Sequence, residues 1–131
     1  MKYSSVVLVI GAMLIGNFAY ANGVANGGPF YGGITQTLIV CYGLNRSGPS
    51  QMINHFIFDQ FGTKVPLTAD LCGYSVIQPY ASCSFAAAIR NDRAYTCVIQ
   101  ASGLQGFIPD VGGTVEILDA NGHVLSHAEM R

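Results

Sequence analysis

The chain has 131 residues, of which 50% are hydrophobic and only 10% are charged, and its formal net charge at pH 7 is −1. Its few Lys and Arg residues are not clustered, which excludes the basic patch that a nucleic-acid interface needs. The length suits one domain with one core. The low charge and the many apolar residues indicate a domain with adhesive surfaces, or one that packs against another molecule.

The first 21 residues have the pattern of a secretory signal peptide. Lys2 precedes the apolar run VVLVIGAMLIG, and Ala19 and Ala21 occupy the small-residue positions before a cleavage site. The alternative is an uncleaved membrane anchor, but the run is shorter than the roughly 20 apolar residues that span a bilayer. We therefore expect cleavage after Ala21, no membrane span in residues 22–131, and a periplasmic or secreted protein.

The next segment, NGVANGGPFYGG at Asn22–Gly33, predicts a Gly-rich flexible leader. Glycine loses more conformational entropy on ordering than any other residue, so this segment is expected to stay mobile. Phe30 and Tyr31 interrupt it. These two aromatic residues either fix the leader to the edge of the domain or form a dipeptide that binds a partner.

From Ile34 to Arg131 the sequence is typical of an all-β domain. Apolar, β-branched and aromatic residues recur in short runs bounded by turn residues, and no segment has a helical period. The runs SCSFAAAI and AYTCVIQAS alternate between inward and outward positions. About seven such strands predict an antiparallel β-sandwich, with a small closed barrel as the alternative.

Two turns share one sequence pattern. IFDQFGTKV and ILDANGHVL both read I-[F/L]-D-x-x-G-x-V. Asp59 and Asp119 are first in these turns and Gly62 and Gly122 are fourth, as type I turns prefer. We interpret the likeness as shared turn chemistry rather than as an internal repeat.

The chain has four cysteines, and this even number in an exported chain predicts two disulfides. A four-thiolate zinc site needs closely spaced pairs, and the spacings here are 31, 11 and 14. Three pairings are open. Cys41 and Cys97 lie in the middle of strands and suit a bridge between facing sheets, whereas Cys72 and Cys83 flank an irregular segment and suit a local loop closure. A Cys83–Cys97 bridge is awkward if residues 82–89 and 94–101 form a hairpin, so we favour the first two pairs.

Tyr95 stands two residues before Cys97, and in this respect the chain resembles immunoglobulin-like domains. In that fold such a tyrosine forms a corner in which its hydroxyl bonds back to the backbone, and Cys41 and Cys97 match the two core cysteines. Asp92 is one residue closer to the tyrosine than in antibody domains, and the core tryptophan is absent. The segments SCSFAAAI, AYTC and GTVEILDANGHVL are similar to those of short exported proteobacterial proteins of unassigned function with an immunoglobulin-like sandwich. The resemblance implies this fold and a structural role for Tyr95.

No constellation of residues predicts catalysis. On a strand, His123 and His127 stand about 13 Å apart, too far to bind one ion. His55 alternates with Ile53 and Ile57, and fits a half-buried, hydrogen-bonded side chain better than a catalytic base. There is no G-x-S-x-G motif and no phosphate-binding glycine loop. We therefore expect a protein that is not an enzyme and that uses no cofactor or metal.

The strand around Cys41 also carries an apolar stripe. Leu38, Val40 and Tyr42 lie on the face opposite Cys41, so the strand is either covered on both sides or exposes an apolar surface. Exposed apolar surfaces and edge strands mark interaction sites. We predict a non-enzymatic binding module that binds a protein or an envelope component through an edge strand or a loop surface. The alternative is a secreted hydrolase inhibitor that uses the disulfide-closed loop 72–83.

Overall fold

A computed structural model describes residues 22–73, 76–102 and 109–131 of the chain. The described residues form an all-β fold, as the sequence predicts, and they include no helix that is long and apolar enough to span a membrane. The predicted signal peptide, residues 1–21, lies outside them. Seven long strands and two strands of two residues are present in the described ranges: β1 (Asn22–Tyr31), β2 (Gln36–Asn45), β3 (Gln51–Asp59), β4 (Ala69–Asp70), β5 (Val76–Ile77), β6 (Ser82–Ala88), β7 (Ala94–Ser102), β8 (Val111–Asp119) and β9 (Val124–Met130).

Two antiparallel sheets make up the fold. The first sheet has the strand order β1-β7-β3-β5, and the second sheet has the order β4-β6-β2-β8-β9. Each sheet is hydrophobic on its inner face, and the two sheets bury these faces against each other, which gives the predicted sandwich. β8 and β9 form a hairpin around the second of the two predicted turns. β6 and β7 lie in different sheets, so the turn RNDR connects the sheets and does not close a hairpin.

The core lies between the sheets and follows the two-residue period of the strands. In β7, Tyr95, Cys97 and Ile99 are buried and the residues between them are more exposed, as the sequence predicts. Phe85 on β6 and Ile39 on β2 fill the opposite side of the core, and both are fully buried. The inner faces therefore meet across the sandwich at the positions that the alternating pattern marks.

The predicted flexible leader is a strand, which corrects the expectation from its composition. Asn22–Tyr31 forms β1, which pairs antiparallel with β7 in the first sheet. Its glycines permit close packing on the second sheet: a Cβ on Gly27 would lie 2.7 Å from Val115 Cγ2 and 2.8 Å from Met130 Cγ. The glycine at this position therefore reflects a lack of space beside β8 and β9.

The two sides of the sandwich differ. On one side, Asn26 of β1 and Arg131 exchange backbone hydrogen bonds of 2.9 and 3.1 Å, which join the two sheets. On the other side, His55 of β3 in the first sheet reaches Asp70 of β4 in the second sheet through side chains. The first side is therefore closed by backbone hydrogen bonds, and the second by a contact between two side chains.

Candidate functional site

The disulfide between Cys41 and Cys97 is structural. It links β2 of the second sheet to β7 of the first, with the Cα atoms 6.1 Å apart, and both residues are fully buried. This confirms the predicted bridge between facing sheets. A disulfide of this kind stabilises a small domain by about 2–4 kcal/mol.

The disulfide between Cys72 and Cys83 is also confirmed, and it differs from the first in its surroundings. Its Cα atoms are 4.9 Å apart, and it closes a loop in which β5 pairs with β3. Cys72 is buried, but Cys83 is only partly buried. This bridge therefore lies at the margin of the core rather than at its centre.

Tyr95 makes the backbone contact that the sequence predicts. Its buried hydroxyl accepts a hydrogen bond of 2.9 Å from the Arg90 N–H, five residues upstream. The Tyr95 side chain thereby fixes the turn between β6 and β7 as the chain crosses from one sheet to the other. Tyr95 and Cys97 are thus parts of the scaffold.

The apolar stripe of Leu38, Val40 and Tyr42 lies on the outer face of the second sheet. β2 is the middle strand of that sheet, and Val40 stands between its cross-strand neighbours Ala86 and Glu116. Val40 is 9% exposed and Tyr42 is 37% exposed, while neither belongs to the core cluster between the sheets. The stripe therefore lies outside the core between the sheets, with Val40 buried, Leu38 half-buried and Tyr42 exposed, and we call it the outer stripe.

Tyr42 has an unusual electrostatic environment for a surface tyrosine. Burial, followed by the nearby Glu116 carboxylate, raises the pKa of Tyr42 above its ordinary value of 10.0. A carboxylate acts in this way because it disfavours the phenolate. The Tyr42 hydroxyl also donates a hydrogen bond to Glu116, which fixes the hydroxyl at the end of the outer stripe.

A groove of about 630 Å³ continues from Tyr42 towards the end of the sheet. Thr114 is the cross-strand partner of Tyr42, and Glu129 follows on the edge strand β9. The groove is lined by Tyr42, Gly43, Leu44, Arg46, Ser82, Gly113, Thr114, Glu129, Met130 and Arg131.

Arg46 is a fixed cation at the rim of this groove. Its guanidinium lies over Gly112, where a Cβ would be only 2.8 Å from Arg46 Cζ. Arg46 Nη2 is 2.8 Å from Asp110 Oδ1 and donates a hydrogen bond of 3.1 Å to the Val111 carbonyl. About half of the Arg46 side chain remains exposed. The group is held in one position and can still meet a ligand.

The structure brings together a second cluster, which the sequence did not predict. His55 Nε2 is 2.9 Å from Asp70 Oδ1, and Cys72 lies beside both. Burial raises the pKa of Asp70, but hydrogen bonds from the Gly73 N–H, His55 and the Cys72 N–H outweigh it, so the pKa lies below its ordinary 3.8. The carboxyl is therefore ionised at neutral pH.

The sequence indicates the outer stripe but not the residues that extend it. Ser82, Thr114 and Glu129 come from β6, β8 and β9, and only strand register places them beside Tyr42. The consecutive glycines Gly112 and Gly113 are the one local signal, since glycine within a strand often marks close approach by another group. No sequence pattern indicates that the Asp70 side chain would contact His55.

Comparison with known proteins gives no relative. No protein-family model, no curated protein and no solved structure matches the chain.

Proposed function

We propose that the protein is an exported, non-enzymatic binding module and that it docks a protein or envelope partner on the outer face of the second sheet. The observation that carries this proposal is the outer stripe, which is apolar and lies outside the core cluster. Surfaces of this kind mark interaction sites on soluble domains. The two disulfides are consistent with an oxidising, exported environment.

The groove supplies the polar part of the proposed surface. It begins at Tyr42, which offers a hydroxyl, and it ends at Arg46 and Arg131, which offer guanidinium groups. An interface commonly has an apolar centre and a polar rim that sets specificity. Because Arg46 is already held by Asp110 and Val111, it loses little freedom when a ligand binds.

The edge strand β9 extends the surface on one side. β9 pairs with β8 alone in the second sheet, and Val124 and Leu125 are 50% and 44% exposed. Asn26 of β1 already bonds the chain at Arg131, so an extended segment of a partner can add by main-chain hydrogen bonds along the other end of this edge, near Val124 and Leu125. The outer stripe and this edge together form one surface for an extended polypeptide.

Site-specific photo-crosslinking in the producing cells tests the proposal. A benzophenone amino acid in place of Tyr42 puts the reactive group on the outer stripe at little steric cost. The matched control replaces Gln100, which is exposed on the outer face of the first sheet. We expect one discrete adduct from position 42 and none from position 100. No adduct at position 42, or the same adduct at both positions, would overturn the proposal.

A second candidate function is inhibition of a hydrolase by the loop 72–83, and Tyr80 favours it. Tyr80 is 72% exposed and has a φ of 57°, a left-handed conformation that is rare for a bulky residue and that accumulates at functional sites. The Cys72–Cys83 bridge and the pairing of β5 with β3 hold this loop. Assays of lysozymes and proteases with wild type and Tyr80→Gly test this candidate. No inhibition by wild type, or equal inhibition by both proteins, contradicts it.

A further inference from the structure

Two potential metal ligands, His55 and Asp70, lie beside the second disulfide, whose two sulfurs become ligands only on reduction. A ring nitrogen of His55, a carboxylate oxygen of Asp70 and the sulfur of Cys72 lie within 4.8 Å of one another, and Cys83 is bonded to Cys72. They come from β3, β4, the turn after β4, and β6. Zn²⁺ takes tetrahedral sets of imidazole, carboxylate and thiolate ligands.

The His55 imidazole is held in place, but its hydrogen-bonding capacity is not filled. The side chain is only 8% exposed, and it packs on Phe85 with the ring centroids 4.7 Å apart. Nε2 faces Asp70, whereas Nδ1 is buried without a hydrogen-bond partner among the described residues. Buried polar atoms nearly always have a hydrogen-bond partner, so the present arrangement leaves the His55 ring incompletely satisfied.

The two disulfides differ in their access to a reductant. Cys41 and Cys97 are fully buried, whereas Cys83 is partly exposed. Thiol–disulfide exchange begins when a thiolate attacks an accessible sulfur. A dithiol should therefore attack Cys83 and reduce the second disulfide while the first remains intact.

We propose that the Cys72–Cys83 disulfide is a redox switch over a Zn²⁺ site. A dithiol supplies two electrons and two protons, becomes a disulfide itself, and converts the bridge into two thiols. One Zn²⁺ then displaces the two thiol protons and binds both thiolates together with His55 and Asp70. A small-molecule disulfide can accept two electrons from the two thiolates and be released as two thiolates of its own, which re-forms the Cys72–Cys83 bridge, removes two ligands and releases the metal.

This proposal does not depend on the outer stripe. The cluster lies between β3 of the first sheet and β4 of the second, on the inner side of the second sheet. Reduction followed by loss of the thiol protons also converts the two neutral sulfurs of the disulfide into two charged ligands. No residue outside the cluster has to move in to complete the site. The fold itself supplies all four donor groups.

Zinc titration of the whole protein tests the switch. Mild treatment with dithiothreitol, followed by its removal without oxygen, should leave two alkylatable thiols, which mass spectrometry locates at Cys72 and Cys83. Competition with a chromophoric chelator should then show one Zn²⁺ per chain in the reduced protein and none in the oxidised protein. Co²⁺ in place of Zn²⁺ should give the absorption of a tetrahedral thiolate complex.

Two variants identify the ligands. His55→Ala and Asp70→Asn should each weaken Zn²⁺ binding by at least about 10-fold, because loss of a direct ligand costs at least as much as loss of an outer-shell partner. The matched control is His123→Ala, because His123 also pairs with an aspartate, at 3.0 Å, but lies in an exposed turn. This control should bind Zn²⁺ like wild type. The near-UV circular dichroism of the oxidised proteins establishes that each variant is folded, and His55→Gln replaces His55→Ala if the latter does not fold.

Several results would overturn the proposal. Equal Zn²⁺ binding by the oxidised and reduced proteins would remove the switch. Absence of stoichiometric binding after reduction, or wild-type affinity in both ligand variants, would remove the site. Reduction of all four cysteines or of none would contradict the difference in access between the two disulfides.

Discussion

The turns at residues 59–63 and 119–123 share a backbone but not an environment. In each turn the aspartate N–H donates to the carbonyl four residues later, at 2.9 and 3.0 Å, and the glycine N–H donates to the aspartate carbonyl, at 2.9 and 3.1 Å. The glycines, Gly62 and Gly122, have φ values of 76° and 82°. The common sequence pattern therefore specifies a common turn.

The two aspartate side chains differ in the group that contacts their second carboxylate oxygen, Oδ2. Oδ1 of each accepts two backbone N–H groups of its own turn. Asp59 is 3% exposed, and its Oδ2 is 2.8 Å from Nη1 of Arg93. Asp119 is 18% exposed, and its Oδ2 is 3.0 Å from Nδ1 of His123, which is 75% exposed. The first turn is thus tied to the segment before β7, whereas the second is satisfied within itself.

Removal of the two aspartates should show this difference most strongly. Asp59→Ala should lower the melting temperature by roughly 10 °C, whereas Asp119→Ala should lower it by only a few degrees. Both variants leave two backbone N–H groups without an acceptor, but only Asp59→Ala also removes the partner of a partly buried guanidinium. Thermal unfolding at pH 7 with intact disulfides measures both. An equal decrease in melting temperature in both variants would show that the contact with Arg93 adds no stability.

The second-largest expected effect is on the stability of the folded protein at acidic pH. The Thr63 N–H, against an opposing effect of burial, lowers the pKa of Asp59 below its ordinary 3.8, with further contributions from the Phe61 N–H and Arg93. The His123 N–H, again against burial, does the same for the pKa of Asp119, and the His123 side chain adds to it.

A folded-state pKa that lies below the unfolded value makes the unfolded chain bind more protons near pH 3.8. Each carboxyl therefore contributes stability above pH 3.8 that is lost as the pH falls through its folded-state pKa. Asp59→Asn and Asp119→Asn should each flatten the pH dependence of the unfolding free energy below pH 3.8. Denaturant titrations from pH 2 to pH 6 measure it. Some slope should remain in both variants because Asp70 also has a lowered pKa.

Replacing Gly62 or Gly122 by alanine should cost the same stability in both turns, because the two glycines have the same local environment. No atom lies within 4 Å of a Cβ built on Gly62 or Gly122, so alanine is opposed only by the positive φ. Each Gly→Ala variant should lose about 1 kcal/mol. A denaturant titration measures both, and a clear inequality would show that the backbones are not equivalent.

Features set by local chemistry could be predicted from the sequence. The alternation in β6 and β7 gave the inward faces, and the position of each cysteine within a strand or loop gave both disulfides. The Asp and Gly positions gave both turns. In each case the property depends on a few neighbouring residues, so the pattern is visible in a short stretch of sequence.

Features set by distant neighbours could not be predicted. The composition of β1 indicated a flexible segment because it is rich in glycine. Gly27 is in fact required because Val115 and Met130 fill the space beside it, and these residues are far away in the sequence. The Asp70 partner of His55 and the walls of the groove depend on sheet order and strand register. The apolar outer stripe was predictable, but its extension into a groove was not.

The smallest expected effect is that of His123→Ala. The His123 side chain is mostly in water, and an exposed ion pair contributes little because solvent and side-chain entropy offset the attraction. The variant should therefore lower the melting temperature by less than about 2 °C at pH 7. Arg93→Ala is the matched change in the first turn and should lower it by clearly more, since Arg93 is only 35% exposed and its carboxylate partner is almost fully buried. Thermal unfolding at low and high salt separates the two pairs, because salt screens exposed charges more than buried ones. If His123→Ala and Arg93→Ala lower the melting temperature by the same amount, the burial of Asp59 makes no difference to the strength of its ion pair.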